Sequence, residues 1–556
     1  MSDSNGTVVA KERKLGEKCI ASPYLKIRRC LKVRNSVSQS IDSNDCDMLA
    51  GKSTEKVNVT VSEKPLQIRA VSGTLRRVFP LISCFVVCML IALGATNSKF
   101  TFVAVLVSCI IACLTSIIGS KQSNYLLCIS VMILLFMQNL CIGLGAHYSG
   151  NISSSLSYLT QIPFLYIAVI WFGFELKKIT SKSTLSQTQK SFIAVILCIF
   201  ISLIFGRGSF QAIAITIRNL TVFFMAYEIG GYSLKNWKSV ASYSKFLVLS
   251  GLVLTSLGEI ILLGGYPLNR FLGIHEVYIA KGSPFEYGRL DGRFYTTLIS
   301  KQYERMGSIY FEPINLAYVL SAALLVSIFV PIYKDGLSKI IVTTLLGIGL
   351  IQTVGKGGYL LVVFILCCVG VEKIVKFFSS HAVRRYSRRR IVFFMVAGVV
   401  AFILLYVKFI GAAIMPHIWG ITRTWGSVLR RPWGYGVGTG GNAAQILNDD
   451  ASSWFDSGGE TALMSFMYQI GIQGIIAFLT CVISTRVQYK HVRKYPWMSM
   501  FYYLPFALVG VSLMQDNTFT PQCVVVFMLL QGGINSMCGS EDIRVLRMLE
   551  EGSSVI

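Results

Sequence analysis

Arginine forks beside flat aromatic rings are the side chains that hold a phosphorylated sugar, and this sequence gathers them in two places. Residues 264–310 carry Tyr266, Tyr278, Tyr287, Tyr295, Tyr303 and Tyr310 beside Arg270, Arg289, Arg293 and Arg305. Residues 412–460 hold Trp419, Trp425, Trp433 and Trp454, four of the seven tryptophans, with Arg423, Arg430 and Arg431. A guanidinium matches phosphate oxygens two at a time, and an aromatic face suits the apolar C–H face of a sugar ring. The set points to a sugar phosphate, with Trp425, Trp433, Tyr295 and Tyr310 as candidate sugar-facing rings. For any single one, a belt of rings at a membrane–water boundary is the favoured explanation. Their crowding into two segments favours the sugar.

Four further features bear on chemistry. Glu460 stands just before an apolar run, where a carboxylate either acts as a general base or interacts with the free N–H groups of a helix start. Lys356, in the turn TVGKGG, either binds phosphate or anchors a helix end. Arg218 interrupts the apolar stretch AIAITIRNLTVFF, so it must face a protein interior, there to meet an anion or to pair with Glu228 or Glu259. The run GYGVGTGG at 434–441 offers backbone N–H groups to an anion or serves as a flexible turn; it lacks the Lys-Ser/Thr of a nucleotide loop. The cations expected to hold a phosphate are Arg305, Lys356, Arg218 and Arg423.

Membrane helices must position these groups. Hydrophobic residues make up 53% and charged residues 14% of the 556, and the mean hydropathy is +0.60, which excludes a soluble enzyme. Apolar runs recur from Phe79 onward and predict about fourteen spans over 79–537. The predicted fold class is an all-α polytopic membrane protein. Residues 1–78 read as a disordered basic cytoplasmic tail and 538–556 as a cytoplasmic C-terminal tail. The 52 Lys+Arg against 27 Asp+Glu give +25, which topology explains better than nucleic acid. Threaded from a cytoplasmic N-terminus, most basic residues fall on the inner connections, so 264–310 and 412–460 become the two long outer loops. The 15 cysteines fall in spans or inner segments and show no metal-ligand spacing.

Three segments in order resemble the superfamily of bacterial O-antigen ligases and Wzy-type polysaccharide polymerases: RMGSIYFEPINLAYVLS, TVGKGGYLLVVFIL, and WGYGVGTGG followed by GGETALMSFMYQIGIQGIIAF. The resemblance covers roughly residues 300–535. It places Arg305 at the arginine expected to contact a lipid diphosphate, and Lys356 where arginine is usual. Glu460 falls where ligases carry histidine, and Thr461 where they carry asparagine, a departure that fits a polymerase. The resemblance implies a GT-C-like helix bundle in the bacterial inner membrane, and a reaction that needs no cofactor, nucleotide sugar or metal. It implies a glycosyltransferase joining undecaprenyl-diphosphate-linked oligosaccharide repeat units into O-antigen, capsule or exopolysaccharide, with Glu460 as base. Its partners would be those lipid-linked oligosaccharides, the lipid bilayer, and a chain-length regulator and flippase of the same pathway, with no nucleic acid. An O-antigen ligase and a polysaccharide transporter or flippase are the rival expectations.

Overall fold

Long apolar runs leave the backbone one economical way to satisfy its N–H and C=O groups without water, which is to form helices. The computed structural model describes residues 64–119, 124–149, 153–180, 184–206, 208–280, 285–286, 289–290, 294–298, 301–381, 415–447 and 454–538. In chain order the helices are α1 (Lys64–Thr96), α2 (Ser98–Gly119), α3 (Tyr125–Ser149), α4 (Ser153–Leu159), α5 (Ile162–Thr180), α6 (Gln187–Phe205), α7 (Phe210–Ser233), α8 (Trp237–Phe271) and α9 (Ile274–Ala280). Two antiparallel hairpins follow, β1 (Phe285–Glu286) with β2 (Arg289–Leu290) and β3 (Tyr295–Leu298) with β4 (Lys301–Glu304). Then come α10 (Pro313–Phe329), α11 (Gly336–Thr353), α12 (Lys356–His381), α13 (Met415–Arg430), α14 (Gly441–Leu447), α15 (Ala462–Ser484), α16 (Tyr489–Lys494), α17 (Ser499–Ser512) and α18 (Pro521–Cys538).

Among the described residues eleven helices are long and apolar enough to cross a membrane, and α10 is a shorter apolar helix. The expected span over 391–411 and the tails 1–63 and 539–556 lie outside the described residues. Two expectations change. Residues 64–78 belong to α1 and are helical rather than tail. The segments 264–310 and 412–460 are not plain loops: the first continues α8 past a kink at Gly265 and adds α9 and both hairpins, and the second contains α13 and α14.

Helices α3 and α18 each bury 78% of their apolar stretch, and α10, packed against α18, exposes almost nothing. Glycine lets the central helices touch backbone to backbone. A Cβ on Gly230 of α7 would sit 2.0 Å from the carbonyl oxygen of Leu529, and one on Gly532 of α18 would sit 1.8 Å from that of Tyr227. Small residues at helix crossings are how apolar helices associate where no hydrophobic effect separates protein from lipid.

Candidate functional site

Two cations meet at the turn between α11 and α12. After β4 the chain docks on that turn: the Arg305 N–H donates to the Phe294 carbonyl (2.7 Å), the Met306 N–H to the Gln352 carbonyl (3.0 Å), and Arg305 Nε to the Thr353 carbonyl (3.1 Å). The turn itself is made by Val354 in the left-handed region (φ 44°). Lys356 is the first residue of α12, half-buried, and Arg305 is buried. The glycines after Lys356 have a packing reason, since a Cβ on Gly358 would meet the Ala317 carbonyl of α10 at 2.7 Å. The arginine and lysine that the sequence places 51 positions apart thus sit on one turn.

A carboxylate and an imidazole face them. Glu460 precedes α15, and its side chain is 44% exposed; Oε2 lies 3.4 Å from Nε2 of His417, a buried residue on α13. The fields of Glu460 and Arg305 both reach Lys356, and those of Glu460 and Lys356 both reach His417. Burial pushes the His417 pKa below the ordinary histidine value, with Glu460 opposing the shift and Lys356 reinforcing it. The imidazole is therefore neutral at neutral pH and can donate one N–H to the carboxylate. Its Nδ1 is buried and has no hydrogen-bond partner among the described residues. Four residues from four separate segments, Arg305, Lys356, His417 and Glu460, make one electrostatic group: a solvent-accessible carboxylate able to take a proton, steadied by an imidazole, beside two cations suited to an anionic leaving group.

His417 has no signal in the sequence. It lies 43 residues from Glu460 in the stretch MPHIWG, and no spacing rule pairs a histidine with an acid across such a gap. Glu460 stands directly before Thr461, the N-cap of α15, and its carboxylate at this helix start is within ion-pair distance of His417.

The glycine run does something neither expectation foresaw. Helix α15 is broken at Gly471 (φ 72°), which frees carbonyls that the run then satisfies: Tyr435 N–H donates to Tyr468 O (2.8 Å) and Gly436 N–H to Gln469 O (3.0 Å), while Ile472 N–H donates back to Pro432 O (2.8 Å). Gly438 N–H takes the Gln469 side-chain oxygen (2.7 Å) and Gly441 N–H the Ser457 carbonyl (3.0 Å). The amides of Tyr435, Gly436, Gly438 and Gly441 are thus used within the protein, and the run wedges into the break in α15. Gly434, Gly436, Gly438 and Gly441 take positive φ, and a Cβ on Gly436 would sit 2.3 Å from the backbone of Gly206.

The remaining candidates have partners of their own. Arg218 on α7 is half-buried and donates to the side-chain oxygens of Gln161 (3.1 Å) and Asn219 (3.1 Å); among the described residues no carboxylate is in ion-pair range of it, and Glu228 pairs instead with Lys178 at 3.2 Å. Arg423 is exposed, with its guanidinium over the Phe455 ring at 5.6 Å. Trp425 and Trp433 are exposed and Tyr295 is half-buried on β3. Tyr310 is a core residue with no surface to offer a sugar, packed edge-on against Phe136 at 5.7 Å. Among the described residues no group of three or more His, Cys, Asp or Glu side chains is arranged to hold a metal ion.

Comparison with protein-family models, with curated proteins and with solved structures yields no match to this chain.

Proposed function

We propose that this protein is a membrane glycosyltransferase that polymerises undecaprenyl-diphosphate-linked oligosaccharide repeat units at the outer face of the bacterial inner membrane. The observation that carries this reading is the convergence of Glu460, His417, Lys356 and Arg305 at one end of the helix bundle. Glu460 accepts the proton of the acceptor hydroxyl as its oxygen attacks the anomeric carbon of the donor glycan. The bond from that carbon to the diphosphate breaks, and Arg305 and Lys356 stabilise the charge that develops on the departing diphosphate. His417 holds the carboxylate in place. Arg218 and Arg423 are further cations for the diphosphate or for the lipid that carries it.

One feature favours a second reading. The break in α15 at Gly471, filled by a glycine wedge, is the kind of interrupted helix on which transporters build their sites. A lipid-linked glycan flippase would share the substrate and not the chemistry. Deleting the gene and separating the surface glycan by size distinguishes the two, and the ligase as well. Single repeat units at the surface support the polymerase. Cytoplasmic accumulation of lipid-linked units supports the flippase, and intact polymer left unattached supports the ligase.

A further inference from the structure

Helix α13 is amphipathic the wrong way round for a helix in water. Its buried face is small and polar, namely His417, Gly420, Thr424 and Ser427, with Val428 the exception. Its exposed face carries Met415, Ile418, Trp419, Trp425 and Leu429, at the three- and four-residue spacing of one helical stripe. The polar face is tied to the bundle. Thr424 donates its hydroxyl to the Phe455 carbonyl (3.2 Å), the Tyr435 hydroxyl donates to the Ser427 carbonyl (3.1 Å), and a Cβ on Gly420 would meet the Gly458 carbonyl at 2.8 Å.

The depth of this helix follows from its neighbour. Gly420 touches the residues just before α15, while Pro432, two residues past the end of α13, accepts from Ile472 N–H. At about 1.5 Å per residue, Ile472 lies roughly 15 Å along an apolar helix that begins at Ala462. Helix α13 therefore runs beside the first turns of a spanning helix, where a water-filled surroundings would strand five large apolar side chains. Arg423 and Arg430 are exposed on the same outward side. The exposed face also carries Thr422, whose hydroxyl donates to the Ile418 carbonyl (3.0 Å), and tryptophan flanked by arginine on a mainly apolar face matches the boundary between acyl chains and anionic headgroups.

We infer that α13 is an interfacial helix whose outward face is embedded in the headgroup–acyl boundary of the lipid bilayer, while its inward face presents His417 to Glu460. One helix then joins the reacting group to the membrane surface from which a lipid-anchored substrate would arrive. The inference takes Trp425 out of the sugar path and gives it to lipid. It stands on packing alone and holds whether or not the glycan assignment does.

The test uses tryptophan fluorescence of the full-length protein in phosphatidylethanolamine–phosphatidylglycerol vesicles, made with ordinary or with brominated acyl chains. The emission of Trp419 and Trp425 is obtained by subtracting the spectrum of the Trp419→Phe/Trp425→Phe double variant, a conservative pair of changes on an exposed face. That difference emission is expected to be largely lost in brominated vesicles and nearly unaffected by aqueous iodide. Loss to iodide with survival in brominated lipid would put the face in water and overturn the inference. Survival against both quenchers would mean that protein covers the face, which overturns it equally.

Discussion

At the scale of single residues, the Glu460 carboxylate stands at the start of α15 and faces the His417 imidazole at 3.4 Å. Replacing Glu460 by Gln keeps its size and removes its basicity, so chain extension in cells should fall by roughly 10²-fold or more at matched protein level, as for loss of a general base. Replacing Arg305 by Lys preserves charge but loses the planar fork that reaches the Thr353 carbonyl. Such a variant should retain only part of the polymer, while Arg305→Ala should retain none. His417 gives a pH signature. Because burial lowers its folded-state pKa, the stability it contributes as a neutral group is present above the ordinary value of 6.5 and is lost as pH falls through the lowered value. The wild-type unfolding temperature should therefore drop more steeply than that of His417→Gln on acidification from pH 7 to pH 5, measured by differential scanning fluorimetry in detergent. Parallel profiles would remove His417 from the titration. Arg305, Lys356 and Glu460 were legible in the sequence because each sits in a motif that chemistry or resemblance could pick out. His417 was not, because what makes it part of the site is the way α13 folds against Glu460.

At the scale of elements, the break in α15 and the wedge that fills it are one device. Gly436 and Gly471 occupy positive φ, where any side chain costs about 1–2 kcal/mol in the backbone alone. Both also lie against neighbouring backbone with no room for a methyl group. Gly436→Ala and Gly471→Ala should each lower the unfolding temperature or folded yield clearly, whereas Gly347→Ala on α11, where a Cβ meets nothing within 4 Å, should not. Equal behaviour of the three would contradict the wedge. In this region the glycines are visible in the sequence and their use is not. Local composition reveals that a run can adopt unusual φ, and the partner that demands it, a carbonyl freed at Gln469, lies 33 residues after Gly436. The two segments that hydropathy marked as loops failed for a related reason. Helix α13 carries too many polar residues on its buried face to register as a span, although it is a regular helix of 16 residues.

At the scale of the whole molecule, hydropathy gave the class of fold because apolar runs of spanning length have few alternatives to helix. Of about fourteen expected spans, eleven helices among the described residues are of spanning length, α10 and α17 are shorter at 17 and 14 residues, and 391–411 lies outside the described residues. Orientation is a prediction of charge. Reporter fusions truncated after Glu460 and after Lys494, at opposite ends of the apolar segment that contains α15, should report opposite sides, exported and cytoplasmic respectively. The same side for both would displace the proposed site from the outer face. The central claim, that the four-residue group catalyses transfer between two lipid-linked glycans, is met most directly by reconstitution. Purified protein in vesicles is given undecaprenyl-diphosphate-linked repeat units as both donor and acceptor, and the glycan products are separated by length. The account predicts polymer and released undecaprenyl diphosphate from the wild type, and only single units from an equally folded Glu460→Gln protein. No extension by the wild type, or equal extension by the variant, would contradict it.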